Sequence, residues 1–149
     1  MQTSRSEITL TNFLSAFFRR EQETITLITL AAKGDKAKAA FYKTSCARFS
    51  KDYDLQNHLI EDNKTKGIYF FVNAGGAKNA DIIRYNAFFI ENDKLSIEDQ
   101  HHLLDKSPIQ PNIRVVTKNS VHAYWLTEGN CSESEWRDRY SNKINCLFR

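Results

Sequence analysis

The chain has 149 residues, of which 41% are hydrophobic and 26% charged, and its formal net charge is +3. That length and balance suit one domain of ordinary size with enough apolar residues to bury a core, and they exclude a low-complexity or disordered chain. The mild positive charge permits a polyanionic partner without requiring one.

From about Glu7 to Arg20 the run ITLTNFLSAFF has the spacing of a short amphipathic helix. Thr24 to Ala32, TITLITLAA, alternates and is rich in β-branched residues, which predicts a strand. A polar turn follows at Lys33-Gly34-Asp35, and Ala37 to Arg48 fits neither period clearly. Ser50 to Lys64 reads as a helix with Tyr53, Leu55, Leu59 and Ile60 on its apolar side. Two strands are predicted next, Ile68–Asn73 and Ile82–Glu91, around Ala74-Gly75-Gly76, where unusual backbone angles are open. Ser96 opens a helix with Asp99 in the place of a capping-box partner, and Pro108 and Pro111 follow it. Ile113–Thr117 and Val121–Thr127 flank Lys118-Asn119-Ser120 as a hairpin. A last helix starts at Ser132, with Glu135 as box partner and Trp136, Tyr140, Ile144, Leu147 and Phe148 as its apolar side. This order fits an α+β fold, a mixed and largely antiparallel sheet with flanking helices.

Cys46, Cys131 and Cys146 are odd in number and show no CxxC spacing, so free thiols in a reducing compartment are expected. No apolar run reaches the roughly 18 residues that span a membrane, and MQTSRSEITL lacks a signal-peptide pattern. A cytoplasmic protein with no membrane partner is the expectation.

Glu91 and Asp93 end the run FFIEND. On a continuing strand they share one face, with Cα atoms about 6–7 Å apart. Carboxylates that close repel, and a divalent cation between them relieves the repulsion. Oxygen donors suit Mg²⁺ or Mn²⁺ better than zinc, and two such ions roughly 4 Å apart are the arrangement for nucleotidyl transfer. The alternative is a polar turn, Glu-Asn-Asp-Lys, after a buried strand. In TKNSVHAYW, strand alternation puts Ser120, His122 and Tyr124 on one face and Val121, Ala123 and Trp125 on the other. A hydroxyl, an imidazole and Lys118 close together make a site for phosphate oxygens. The alternative is a histidine held in the core or at the surface. His58, His101 and His102 have no partner at metal spacing and read as solvated.

FFIEND, SIEDQ (Ser96 to Gln100), the prolines 108 and 111, and VVTKNSVHAYW (Val115 to Trp125), preceded by GIYFFVNAGG (Gly67 to Gly76), together resemble the archaeo-eukaryotic primase superfamily. The primase-polymerases and RepB-like primases of plasmids, phages and mobile elements are the members most similar. The resemblance covers about Gly67 to the C-terminus. It implies a sheet similar to an RNA-recognition motif, with Glu91 and Asp93 as catalytic metal ligands and Ser120 and His122 on the nucleotide triphosphate. The implied activity is that of a DNA primase or polymerase, a nucleotidyltransferase using Mg²⁺ or Mn²⁺, with DNA template, primer and nucleoside triphosphates as partners and a helicase as a companion domain or protein. The family's third acid lies on a strand after the helix that follows the histidine. Here that helix is expected over Ser132–Phe148 and the chain stops at Arg149. Asp138 falls inside the helix, and no residue is matched to the third acid. The resemblance thus implies one catalytic domain over residues 1–149, the N-terminal piece of a longer protein.

Lys33, Lys36, Lys38, Lys43 and Arg48, with Arg19 and Arg20, are either solvated surface or a template groove. Arg84 and Arg114 are candidates for phosphate contact if they share the acids' face. A second function class is a non-catalytic module that binds single-stranded nucleic acid, with Tyr69, Phe71 and Tyr85 available to stack. A metal-dependent nuclease lacks a convincing Glu-x-Lys companion, and a rolling-circle initiator lacks His-x-His.

Overall fold

The computed structural model describes residues 8–32, 38–139 and 144. The readings of Lys33, Lys36, the turn at 33–35, Tyr140, Cys146, Leu147 and Phe148 concern residues outside these ranges. The chain divides into two units, Met1–Ile83 and Arg84–Arg149.

In the first unit, α1 (Leu10–Phe17) starts at Thr9, whose hydroxyl accepts the Asn12 N–H at 3.2 Å. That bond fills one of the donors a helix start leaves open. β1 (Ile25–Ala31) is the centre of an antiparallel sheet in the order β2-β1-β3, with β2 (Ala40–Thr44) and β3 (Lys66–Phe70) at its edges. The unassigned stretch 37–48 thus supplies β2 and a four-residue helix α2 (Cys46–Phe49). The helix expected over Ser50–Lys64 is α3 (Tyr53–Asp62), begun by Asp52, whose carboxylate accepts the Leu55 N–H at 3.0 Å. Leu27 stands opposite both Tyr42 and Phe70, so the three share a face. Phe70 meets Phe13, Phe17 and Phe18 edge-on, at centroid distances of 5.5, 5.1 and 6.5 Å. On the same face His58 of α3 lies 2.8 Å from the Tyr42 hydroxyl and 3.6 Å from Asp62. His58 is exposed, as expected of a solvated histidine, and also lies between these two side chains. β4 (Ala74–Gly75) pairs with β5 (Ile82–Arg84). Gly75 has φ +115°, and a Cβ there would lie 2.1 Å from the Asp81 carbonyl oxygen, so only glycine fits.

The second unit holds a sheet in the order β6-β8-β7: β6 (Ala87–Ile90), β7 (Ile113–Val116) and β8 (Val121–Leu126), all pairs antiparallel. The single strand expected over Ile82–Glu91 is two strands, because residues 82–84 pair with β4 and residues 87–90 with β8. One face of this sheet is packed. Phe88, Leu104, Val121, Ala123, Trp125 and Ile144 form a core, with Ile90, Ile97 and Trp136 against it. Leu104 and Ile97 come from α4 (Ile97–Lys106), Trp136 from α5 (Glu133–Arg139). Both expected caps form. The Ser96 hydroxyl accepts the Asp99 N–H at 3.1 Å, and Glu135 accepts the Ser132 N–H at 2.9 Å. The two tryptophans satisfy their ring N–H groups on carbonyls, Trp125 on Ile109 at 3.0 Å and Trp136 on Ala87 at 3.1 Å. Tyr85 packs beside Trp136, at 5.2 Å. Cys46 and Cys131 are free thiols. No helix among the described residues is long and apolar enough to cross a membrane.

Candidate active site

β6 runs against β8 with Phe89 opposite Tyr124 and Ile90 opposite Ala123. One further step in that register puts Glu91 beside His122, and the Glu91 carboxylate lies 3.0 Å from His122 Nε2. β6 itself ends at Ile90, so the expectation that the strand runs through both acids is corrected. Glu91 is the first residue past the strand and Asp93 lies in the turn after it. The Asn92 side chain causes the exit: its Oδ1 accepts the Lys94 N–H at 3.2 Å. Such a local turn competes with the ladder for the backbone. Asp93 is exposed and has no ion-pair or hydrogen-bond partner among the described residues.

The imidazole of His122 is held on the sheet face opposite the core. Phe89 touches it edge-on at 5.7 Å and stacks on Tyr124 at 5.5 Å. The Tyr124 hydroxyl lies 3.4 Å from His122 Nδ1. Burial, and after it the Glu91 charge, push the Tyr124 phenol up to about 12. It therefore remains a neutral hydroxyl through the physiological range. A buried phenol on one ring nitrogen and an open carboxylate on the other fix the ring's direction. The side chain of Glu91 is 50% exposed and that of His122 19%, so the pair opens to solvent on the carboxylate side. Even between charged groups a contact this exposed is worth about 0–1 kcal/mol, which leaves both groups readily available to a ligand.

Ser120 is buried in the turn of the β7–β8 hairpin, its hydroxyl 3.3 Å from that of Thr117, and Lys118 in the same turn is exposed. The start of β8 is tied down by Gln100, itself buried. Its side-chain oxygen accepts the Val121 N–H at 2.7 Å, and its amide donates to Leu95 O at 2.8 Å. One helical side chain thus fastens both the loop after the acids and the strand that carries His122.

Among solved structures, the chain matches the AEP domain of the primase-polymerase of cyanophage S-2L, with a TM-score of 0.69 over 91% of this chain and 70% of that one. The chain has the fold of a primase-polymerase AEP domain. At 18% identity the likeness is one of fold. No family model and no curated protein matches the chain.

On this AEP fold the two arginines are engaged away from the acids. Arg84 donates to the Gly129 carbonyl. Arg114 stands opposite Ala123, on the core-side face, and bonds Asp105 at 2.7 Å and Gln110 at 2.9 Å. The condition placed on Arg114, that it share the acids' face, fails because it lies one residue from Val115, the neighbour of His122, and adjacent strand residues face opposite ways. The donor set suits a hard divalent cation: two exposed carboxylates two residues apart, with no lysine or arginine in contact with either among the described residues. Among the described residues, Glu91, Asp93 and His122 are not gathered into a metal-sized cluster, and neither are any other three His, Cys, Asp or Glu side chains. The role of Gln100 escaped motif reading. Its signal was available, since a polar residue stands between Ile97 and Leu104 on the core-facing stripe of α4.

Proposed function

We propose that the chain is a DNA primase-polymerase type nucleotidyltransferase domain, with its site at the open end of β6 and β8. The observation that carries this reading is the 3.0 Å approach of Glu91 to His122, with Asp93 unpartnered two residues on, in an AEP fold. In the reaction a primer or initiating 3′-hydroxyl forms a new bond to the α-phosphorus of a nucleoside triphosphate. The bond from that phosphorus to the bridging oxygen breaks, and pyrophosphate leaves with the electron pair. Glu91 and Asp93 would hold divalent cations, Mg²⁺ or Mn²⁺. When bound, these neutralise charge on the phosphates and make the attacking hydroxyl more acidic. His122 Nε2 turns from Glu91 to a phosphate oxygen, while Tyr124 and Phe89 keep the ring in place. From the hairpin turn Lys118 adds positive charge and Ser120 a hydroxyl. Template and primer are the nucleic-acid partners in this reading.

The second reading is a non-catalytic module of the same fold that binds single-stranded nucleic acid. It is favoured by Glu91, Asp93 and His122 not closing into a metal-sized cluster among the described residues. One assay separates the two: nucleotide incorporation on primed and unprimed template with Mg²⁺ or Mn²⁺, wild type against Asp93→Ala. Incorporation abolished by the substitution supports the enzyme. Incorporation unchanged by it defeats the proposed site, and template binding with no incorporation selects the module.

A further inference from the structure

The sheet of the first unit has a second face, opposite Leu27, Tyr42 and Phe70, and its residues fall in rows. Phe41, Ile28 and Tyr69 stand directly opposite one another across the three strands. The next row is Lys43, Thr26 and Phe71, whose N–H donates to Thr26 O at 3.0 Å. Phe41 is 55% exposed and Tyr69 50%. Phe41 stacks on Phe71 at 6.5 Å with 22° between the planes. The Tyr69 ring folds back over Gly67, where an added Cβ would lie 2.6 Å from a ring carbon. A bare glycine lets the ring lie along the strand with its outer side in solvent. Large aromatics are normally buried, and several together on one open sheet face mark an interaction surface.

The chemistry of the rows selects the partner. None of these positions is acidic, and Lys43 stands exposed beside the rings. Flat aromatics take bases of any sequence by stacking, and a neighbouring cation meets the backbone phosphates. Thr26 is buried, so what the face opens to solvent is the rings with Lys43 beside them, and a lysine there is disfavoured at the desolvated centre of a contact with a second copy.

We propose that this face is a platform for single-stranded nucleic acid, with bases stacked on Tyr69 and Phe41 and a phosphate on Lys43. The proposal rests on the reading above only in taking the chain to act on nucleic acid. It names a site in the other unit, distinct from Glu91 and Asp93. The test is fluorescence anisotropy with a labelled single-stranded oligothymidylate, in EDTA and without nucleotide, so the two acids play no part in the readout. Tyr69→Ala and Phe41→Ala each weaken binding by roughly 5- to 150-fold, the range for loss of one base–aromatic stack. Tyr69→Phe, which keeps the ring, binds like wild type. Lys43→Met lowers the slope of log affinity against log salt by about 0.7. Circular dichroism checks the fold of each variant, and should Tyr69→Ala unfold, Phe41→Ala and Lys43→Met still carry the test. Wild type that fails to bind, or folded Phe41→Ala and Lys43→Met that bind unchanged, overturns the platform. A dimer in sedimentation that Phe41→Ala dissolves, with no oligonucleotide bound, overturns it in favour of a second copy. Loss of oligonucleotide affinity in these variants, where no nucleotide incorporation is found, supports the platform and removes only the catalytic reading.

Discussion

Gln100 puts two polar atoms, with capacity for four hydrogen bonds, beside the apolar Ile97, Leu104 and Val121. Gln100→Leu fits the apolar surroundings but leaves the Val121 N–H buried without an acceptor, at a cost of about 1–3 kcal/mol. Urea unfolding should show that loss as a lower midpoint with an unchanged slope. Gln100→Glu retains the acceptor for Val121 but buries a carboxylate with one oxygen against the Leu95 carbonyl, so its loss at neutral pH should be larger. At His122 the bond at stake is charge-assisted. His122→Ala should weaken nucleoside triphosphate binding, read by calorimetry, by about 10- to 150-fold, the span for a hydrogen bond to a charged group. Its thermal midpoint should change little, because the imidazole packs on the open face and not in the core.

Elements are where local chemistry and partner choice compete. The cap at Ser96 is local: its hydroxyl bonds the Asp99 N–H and donates to the Asp99 carboxylate at 2.7 Å. Ser96→Ala should cost about 1 kcal/mol in denaturant unfolding, and Ser96→Asp should recover most of it. These caps were legible because they use residues three apart in the chain. The break between β5 and β6 was not. Residues 82–91 carry an unbroken strand-like pattern, but they change pairing partner part-way, and pairing with distant strands leaves no mark on a local pattern. Asn92 was visible as a turn former, yet whether its side chain or the ladder would take the next N–H depended on where β8 ends. β8 itself was read correctly on both faces, since alternation alone separates Val121, Ala123 and Trp125 from His122 and Tyr124.

For the whole molecule, ligand and proton linkage give tests that do not depend on turnover. A cation held by Glu91 and Asp93 in the folded chain stabilises it by mass action, about 2.7 kcal/mol at a hundred times the dissociation constant. Added Mn²⁺ should therefore raise the melting temperature of wild type, and the rise should vanish in a Glu91→Gln, Asp93→Asn double variant. Proton linkage acts in the first unit. A hydrogen bond from Lys66 to Asp62, at 2.8 Å, holds that carboxyl below its usual range. A depressed folded value means the contribution is complete above about pH 4, the ordinary aspartate value, and is lost as pH falls through the lowered one. Lys66→Met should flatten the acid limb of the stability–pH curve below pH about 4 and leave its shape near neutrality unchanged, as measured by urea midpoints across the series.

Sequence alone settled what is local in cause: the alternation of β1 and β8, the caps of α4 and α5, the α+β class, and the stretches from which Glu91, Asp93, Ser120 and His122 come. Tertiary structure decided what depends on distant partners. It put Glu91 on His122 and let Asp93 leave the ladder. It spent Gln100 on the hairpin that carries the histidine, turned Arg114 to the core side, and lined up Phe41, Ile28 and Tyr69 from three separate strands. The physical reason is common to all of these: a side chain's direction follows from its own backbone period, whereas its neighbour is chosen by the register of strands far away in the chain.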